Sequence, residues 1–134
     1  AFTVPKATNS GYVECIIDLC KANDIGLVIP TIDTELVPLA EHFEKFNDSS
    51  INLVISNSAL VHSCYDKRLT SILFENLGIK SPAIFSKDAL QFPCFVKPYD
   101  GSSSIGTQRI DNVEQISKSL LVNEKMMFME FMNN

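Results

Sequence analysis

Residues 92–111 read FPCFVKPYDGSSSIGTQRID, a short apolar run with Lys97 near its middle that opens into a loop of glycine and serine. FPCFVKP has the composition of a strand and TQRI alternates like one, so the segment folds back on itself as strand, loop, strand. Glycines at both ends of the loop let backbone N–H groups approach a ligand, and a lysine on the entering strand supplies a positive charge. Two readings follow from the residues alone: an ordinary surface hairpin, or a device for holding phosphate.

The flanking sequence sets the context. NSGYVECIIDLCKAND places apolar residues at helical spacing behind a capping Asn9 or Ser10, and IGLVIPTI is a short, continuously apolar strand with Pro30 at its exit. DTELVPLAEHFEKF puts Leu36, Leu39, Ala40, Phe43 and Phe46 on one helical face, and INLVIS is a second buried-looking strand. Helix and strand alternating with continuously apolar strands predict a partial doubly wound parallel sheet, covered on both faces. Such a unit normally begins with a strand, so its first strand and helix are expected upstream of Ala1. A missing first strand would leave a sheet edge open, a route to a homodimer.

After a short helical piece, DKRLTSILFENLG predicts an amphipathic helix with Leu69, Ile72, Leu73 and Leu77 turned inward and Gly78 as its stop. SPAIFS is a strand, and beyond the loop come TQRI, a helix over NVEQISKSLLV and the strand KMMFMEFM. The fold class is therefore α/β, with a doubly wound fragment over residues 1–63 followed by a small α+β subdomain over 64–134.

Composition narrows the partners. Hydrophobic residues make up 46% of the 134, enough for an ordinary core and far from a disordered tail. A net charge of -5 with scattered Lys and Arg argues against nucleic acid. Cys15, Cys20, Cys64 and Cys94 form no C-x-x-C pair and stand apart from His42 and His62, so no zinc site or disulfide framework is expected and a reducing cytoplasm fits best. No segment is long and apolar enough to predict a membrane span.

The loop is not one of the common phosphate motifs. Gly101 to Gly106 satisfies the G-x-x-x-x-G half of a P-loop, but Thr107 and Gln108 stand where lysine and serine or threonine are required, and a strand follows instead of a helix. The dinucleotide fingerprint G-x-G-x-x-G and the nucleophile elbow G-x-S-x-G are absent.

Taken in order, GLVIPTIDTEL, SCYDKRLTSILFENLGIKSPA, FPCFVKPYDGSSSIG and MFMEFM resemble the ATP-grasp superfamily, most nearly its carbamoyl-phosphate-synthase-like members, over nearly the whole chain. VKPYDGSSSIG also suggests the D-alanine-D-alanine ligase branch. The resemblance implies an ATP-binding portion of a ligase, comprising part of the pre-ATP-grasp domain and the small lid subdomain. Such a ligase activates a small carboxylate as an acyl phosphate for attack by an amine.

By position, the resemblance makes Lys67 the first nucleotide-contacting lysine and Lys97 the second, reaching the α and β phosphates. Ser102, Ser103, Ser104 and Gly106 become the loop over the β and γ phosphates. Backbone groups of Met129, Glu130 and Met132 become the adenine edge. Structural readings stand beside these: Lys67 as a solvated helix-start lysine, the methionine strand as plain core, and Thr31, Asp33 and Glu35 as helix-capping residues.

The family's magnesium ligands belong to a later subdomain, so Mg²⁺ is expected to be held outside this chain, with no catalytic residue and little turnover within it. A non-catalytic nucleotide-binding or structural module is the alternative.

Overall fold

A computed structural model describes residues 1–132. The chain divides into two compact units, Ala1–His62 and Ser63–Asn134, considered in turn.

In the first unit, α1 (Tyr12–Ala22) follows an Asn9 turn in which the Asn9 side chain accepts from Gly11 N at 2.9 Å, and the helix itself starts at Gly11 without a side-chain cap. The strand β1 (Leu27–Val28) pairs in parallel with β2 (Asn52–Leu53), Leu27 opposite Asn52 and Val28 opposite Leu53. Between them lie α2 (Asp33–Glu41) and α3 (Phe43–Asp48), where the sequence predicts one helix.

The break has a local cause. Pro38 lies inside α2 and can donate no backbone hydrogen bond, and the carbonyl of Pro38 is met at 2.9 Å by His42 Nδ1, so the ring occupies the place of the next helical N–H. His42 N turns to Leu39 O instead, at 3.2 Å, and closes the helix.

The core of this unit gathers Tyr12, Val13, Ile17, Cys20, Leu39, Phe46, Ile51 and Leu53. Phe46 is fully buried, and burying such a side chain contributes about 1.5–3 kcal/mol. Tyr12 is buried too, and its hydroxyl bonds to the Glu35 carboxylate; burial first, then the Glu35 charge, push its pKa up to about 12. Glu35 therefore ties α2 to α1. Neither Thr31 nor Asp33 caps α2, whose N-cap is the extended Ile32 with no side-chain bond.

The sheet corrects one expectation. Val28 and Leu53 face the core, whereas Leu27, Ile29 and Val54 on the opposite face are more than half exposed. Among the described residues of this unit no helix covers that face, so the continuous apolar strands are covered on one side only.

The helix α4 (Ser58–Tyr65) runs across the division. In the second unit, α5 (Lys67–Asn76) is capped by Asp66, whose carboxylate accepts from Arg68 N at 2.9 Å. It ends in a Schellman turn: Gly78 N donates to Glu75 O at 3.0 Å and Ile79 N to Phe74 O at 2.8 Å, with Gly78 at φ +69.

Four strands follow, β3 (Ile84–Phe85), β4 (Cys94–Pro98), β5 (Gln108–Ile110) and β6 (Met126–Glu130), in the antiparallel order β3-β6-β4-β5. The predicted helix over NVEQISKSLLV forms as a 3-10 turn, Val113–Gln115, and a short α6 (Lys118–Val122), because Ser117 caps the second piece through Leu120 N.

Cys94, Val96, Ile110, Met126 and Phe128 form this unit's core on one sheet face, packed by Leu120 and Leu121. The stripe of α5 is not part of it. Leu69, Ile72 and Leu77 are 44%, 53% and 63% exposed, and no residue of α5 is buried. The amphipathic spacing identifies the helix correctly but misplaces its apolar side, which nothing in the described part of this unit covers.

Candidate phosphate and nucleotide site

The site is built on β4. Cys94 and Val96 are fully buried and their neighbours Phe95 and Lys97 only partly so, so alternation sends Lys97 to the face opposite the core. Register places Phe95 beside Met129 and Arg109, and Lys97 beside Met127. Cross-strand neighbours share a face, so Lys97, Phe95, Met127 and Met129 make a largely apolar face carrying one ammonium. The sequence, read as continuously apolar here, does not reveal this separation of faces.

Beyond Pro98 the chain folds back on itself. A Cβ on Gly101 would lie 3.1 Å from Pro98 Cβ, and one on Gly106 would lie 3.3 Å from Pro98 Cγ. Gly106 also has φ +75, which side-chain-bearing residues rarely adopt. Pro98 is thus the floor on which both glycines of the loop rest, a role the sequence reading misses.

Ser103 and Ser104 have φ +54 and +57, a strained pair at the loop tip. The loop closes on itself through Ile105 N to Ser102 O at 3.2 Å and Thr107 Oγ1 to Ser104 O at 2.9 Å. Among the described residues, the N–H groups of Ser102, Ser103, Ser104 and Gly106 find no acceptor in the protein.

The two lysines differ in their surroundings. Lys67 Nζ donates to the Gly101 carbonyl and, at 3.4 Å, to the Tyr99 carbonyl. Lys97 has no carboxylate or carbonyl partner among the described residues, and partial burial first, then the nearby Lys67 charge, hold its pKa below the usual lysine value. An anion would relieve both causes.

These features pass a test of fit for a polyphosphate: an unneutralised lysine, free N–H groups, and a glycine cradle that a Cβ would fill. Magnesium does not find the same support. Among the described residues, no three His, Cys, Asp or Glu side chains lie together to hold a metal ion.

The expected adenine edge is less uniform. Met129 is buried on the central strand, its neighbours Phe95 and Ile84 on either side. Glu130 N donates to Ala83 O at 2.8 Å and its carboxylate accepts from Ala83 N at 3.3 Å, so Glu130 joins β6 to the start of β3. Met132 lies past the strand end and is exposed.

Residues 1–54 match the family model PylC-like, N-terminal domain. The structure resembles that of an L-amino acid ligase from Bacillus licheniformis, with TM-score 0.71 at 17% identity, covering 96% of this chain and 32% of that one. The chain shares the fold of the corresponding part of that ligase. Among curated proteins, the chain is 32% identical over 86 residues to the vancomycin/teicoplanin A-type resistance protein VanA of Enterococcus faecium, covering 58% of this chain and 24% of that protein. It is 36% identical over 64 residues to a D-alanine–D-alanine ligase of Alcanivorax borkumensis, covering 45% of this chain and 21% of the ligase. The chain thus spans about a quarter or less of the curated relatives it matches. Together these likenesses support the ATP-grasp superfamily. Among the described residues no helix is long and apolar enough to cross a membrane.

Proposed function

We infer that this chain is the ATP-binding portion of an ATP-dependent ligase that joins a carboxylate to an amine. The observation that carries the reading is the pairing of an unneutralised Lys97 with four unpartnered N–H groups on a loop folded over Pro98. ATP supplies the phosphoryl group that turns a carboxylate into an acyl phosphate, which an amine then attacks with loss of phosphate.

The chain's own part is to bind and orient. Lys97 holds the α and β phosphates. The N–H groups and hydroxyls of Ser102, Ser103 and Ser104, with Gly106 N, close over the β and γ phosphates, and excluding water there strengthens each contact. The apolar face of Phe95, Met127 and Met129 receives the adenine, with backbone groups from Met129, Glu130 and Met132 at its edge. Lys67, bonded to the loop's own carbonyls, fixes the loop and adds its charge to the field. Mg²⁺, the usual companion of a polyphosphate, draws no ligand set from these residues.

Within this class, the matched proteins named for ligating amino acids favour an amino-acid carboxylate as substrate over carbamoyl-phosphate-synthase-like chemistry. Calorimetry of ATP and ADP binding, with and without Mg²⁺, tests the reading on this chain and on Lys97→Ala. Binding that is lost in the variant is expected. Equal binding by both would remove Lys97 from the site, and no binding by either would leave a structural module.

A further inference from the structure

The loop that would cover phosphate is anchored at one end in an unusually complete way. Tyr99 N donates to Lys125 O at 2.9 Å, and Tyr99 O accepts from Lys67 N at 2.9 Å. The Arg68 guanidinium lies over the Tyr99 ring, 3.6 Å from its centroid. Asp66 holds that guanidinium along its edge, accepting from Nε at 3.0 Å and from Nη2 at 2.6 Å. The next residue, Asp100, pairs with Lys125 Nζ at 2.6 Å. From Ser102 to Gly106, by contrast, the loop's hydrogen bonds among the described residues stay within the loop, apart from the Lys67 contact at Gly101 before it.

We propose that Asp66, Arg68 and Lys125 are positioning residues that clamp Tyr99 and Asp100, so that the phosphate loop moves only beyond Gly101 and its root stays in register with α5 and β6. The proposal rests on the nucleotide reading above for its purpose, but not for its geometry.

A planar guanidinium suits the task because it can stack on the ring and donate two N–H bonds to the carboxylate at once, which an ammonium cannot do. The clamp also explains why Asp66 matters beyond capping α5: one carboxylate orders the helix start and, through Arg68, the loop root. With Tyr99 held on both its N–H and its carbonyl, and the Gly101 carbonyl bonded by Lys67 Nζ, the fixed part ends at Gly101 and Ser102 is the first residue free to turn.

Two measurements test this. Amide hydrogen exchange on the nucleotide-free chain should show slow exchange at Lys67 and Tyr99 and fast exchange from Ser102 to Ser104. In Arg68→Met and in Tyr99→Ala, exchange at Lys67 and Tyr99 should accelerate, whereas Tyr99→Phe, which keeps the ring, should restore the wild-type rates. Unchanged protection at both amides in both disruptive variants overturns the clamp. Lys125→Met, at an exposed side chain, gives the same readout if Arg68→Met does not fold.

The second measurement compares ATP with AMP. Because the root positions only the part of the loop that meets the outer phosphates, Arg68→Met should weaken ATP about three- to tenfold and leave AMP unchanged. An ATP-to-AMP ratio equal to that of a nucleotide-binding wild type overturns the positioning role. If the wild type binds neither nucleotide, the functional reading fails by itself, and the exchange rates still decide the clamp.

Discussion

Lys97 sits where an ammonium is poorly accommodated: on the half-buried face of a sheet, close to a second lysine and without a carboxylate partner among the described residues. Its pKa is lowered, so between that value and the ordinary lysine pKa the unfolded chain binds more protons than the folded one. Stability of the nucleotide-free protein therefore rises as pH climbs through this window. ATP reverses the preference, since it favours the charged lysine. ATP affinity should fall as pH rises through the lowered pKa, and Lys97→Arg, which stays charged, should flatten the decline in calorimetry run at stepped pH. Lys97→Met should lose ATP binding yet melt a few degrees higher than the wild type, an exchange of function for stability. A lower melting point for Lys97→Met would mean that the lysine is structurally satisfied. The sequence shows this residue as unusual because a lysine interrupts CFV and P. It cannot show that the neighbouring charge is Lys67, since that meeting depends on α5 starting beside the loop.

Elements carry the next layer, and their ends are more legible than their faces. Gly78 marks the stop of α5 in the sequence, and the Schellman turn gives the reason: only glycine adopts φ +69 there without strain. Gly78→Ala should cost about 1 kcal/mol. Gly26→Ala, where an added Cβ meets nothing within 4 Å, should stay within about 0.5 kcal/mol of wild type. Urea midpoints for the two variants check this, and equal midpoints would remove the strain argument. Gly106→Ala adds the Pro98 contact to a positive φ, so its penalty should appear in ATP affinity as well as in stability. The loop's glycines were readable because spacing and composition expose them. Pro98 as their floor was not, because a proline ending a strand has many local explanations. The same limit split the helix over residues 33–46: helical periodicity continues through His42, but the ring's bond to the Pro38 carbonyl ends the helix one turn early.

For the whole molecule, pattern predicts layers more reliably than it predicts what covers them. Continuous apolar strands correctly give a parallel pair, since Leu27 and Val28 align with Asn52 and Leu53. They also imply two covered faces, whereas the side bearing Leu27, Ile29 and Val54 is open in this unit. In the other unit the outer stripe of Leu69, Ile72 and Leu77 is open as well. Periodicity reports that a face is apolar; only packing decides which apolar faces meet, and that requires the three-dimensional partner.

Contiguous apolar surface of this kind favours association in water. Sedimentation velocity over a wide concentration range should therefore show reversible self-association, with a larger share of dimer at high salt, where repulsion from the net charge of -5 is screened. The double variant Ile29→Lys with Val54→Thr should reduce association if the sheet face drives it, and Leu69→Lys with Leu77→Gln should do so if α5 does. Because all four side chains lie at least 44% exposed, neither variant removes core packing, and both should keep the wild-type melting temperature within a few degrees. Association unchanged in both variants would assign it to a strand edge instead, where backbone pairing is indifferent to these side chains.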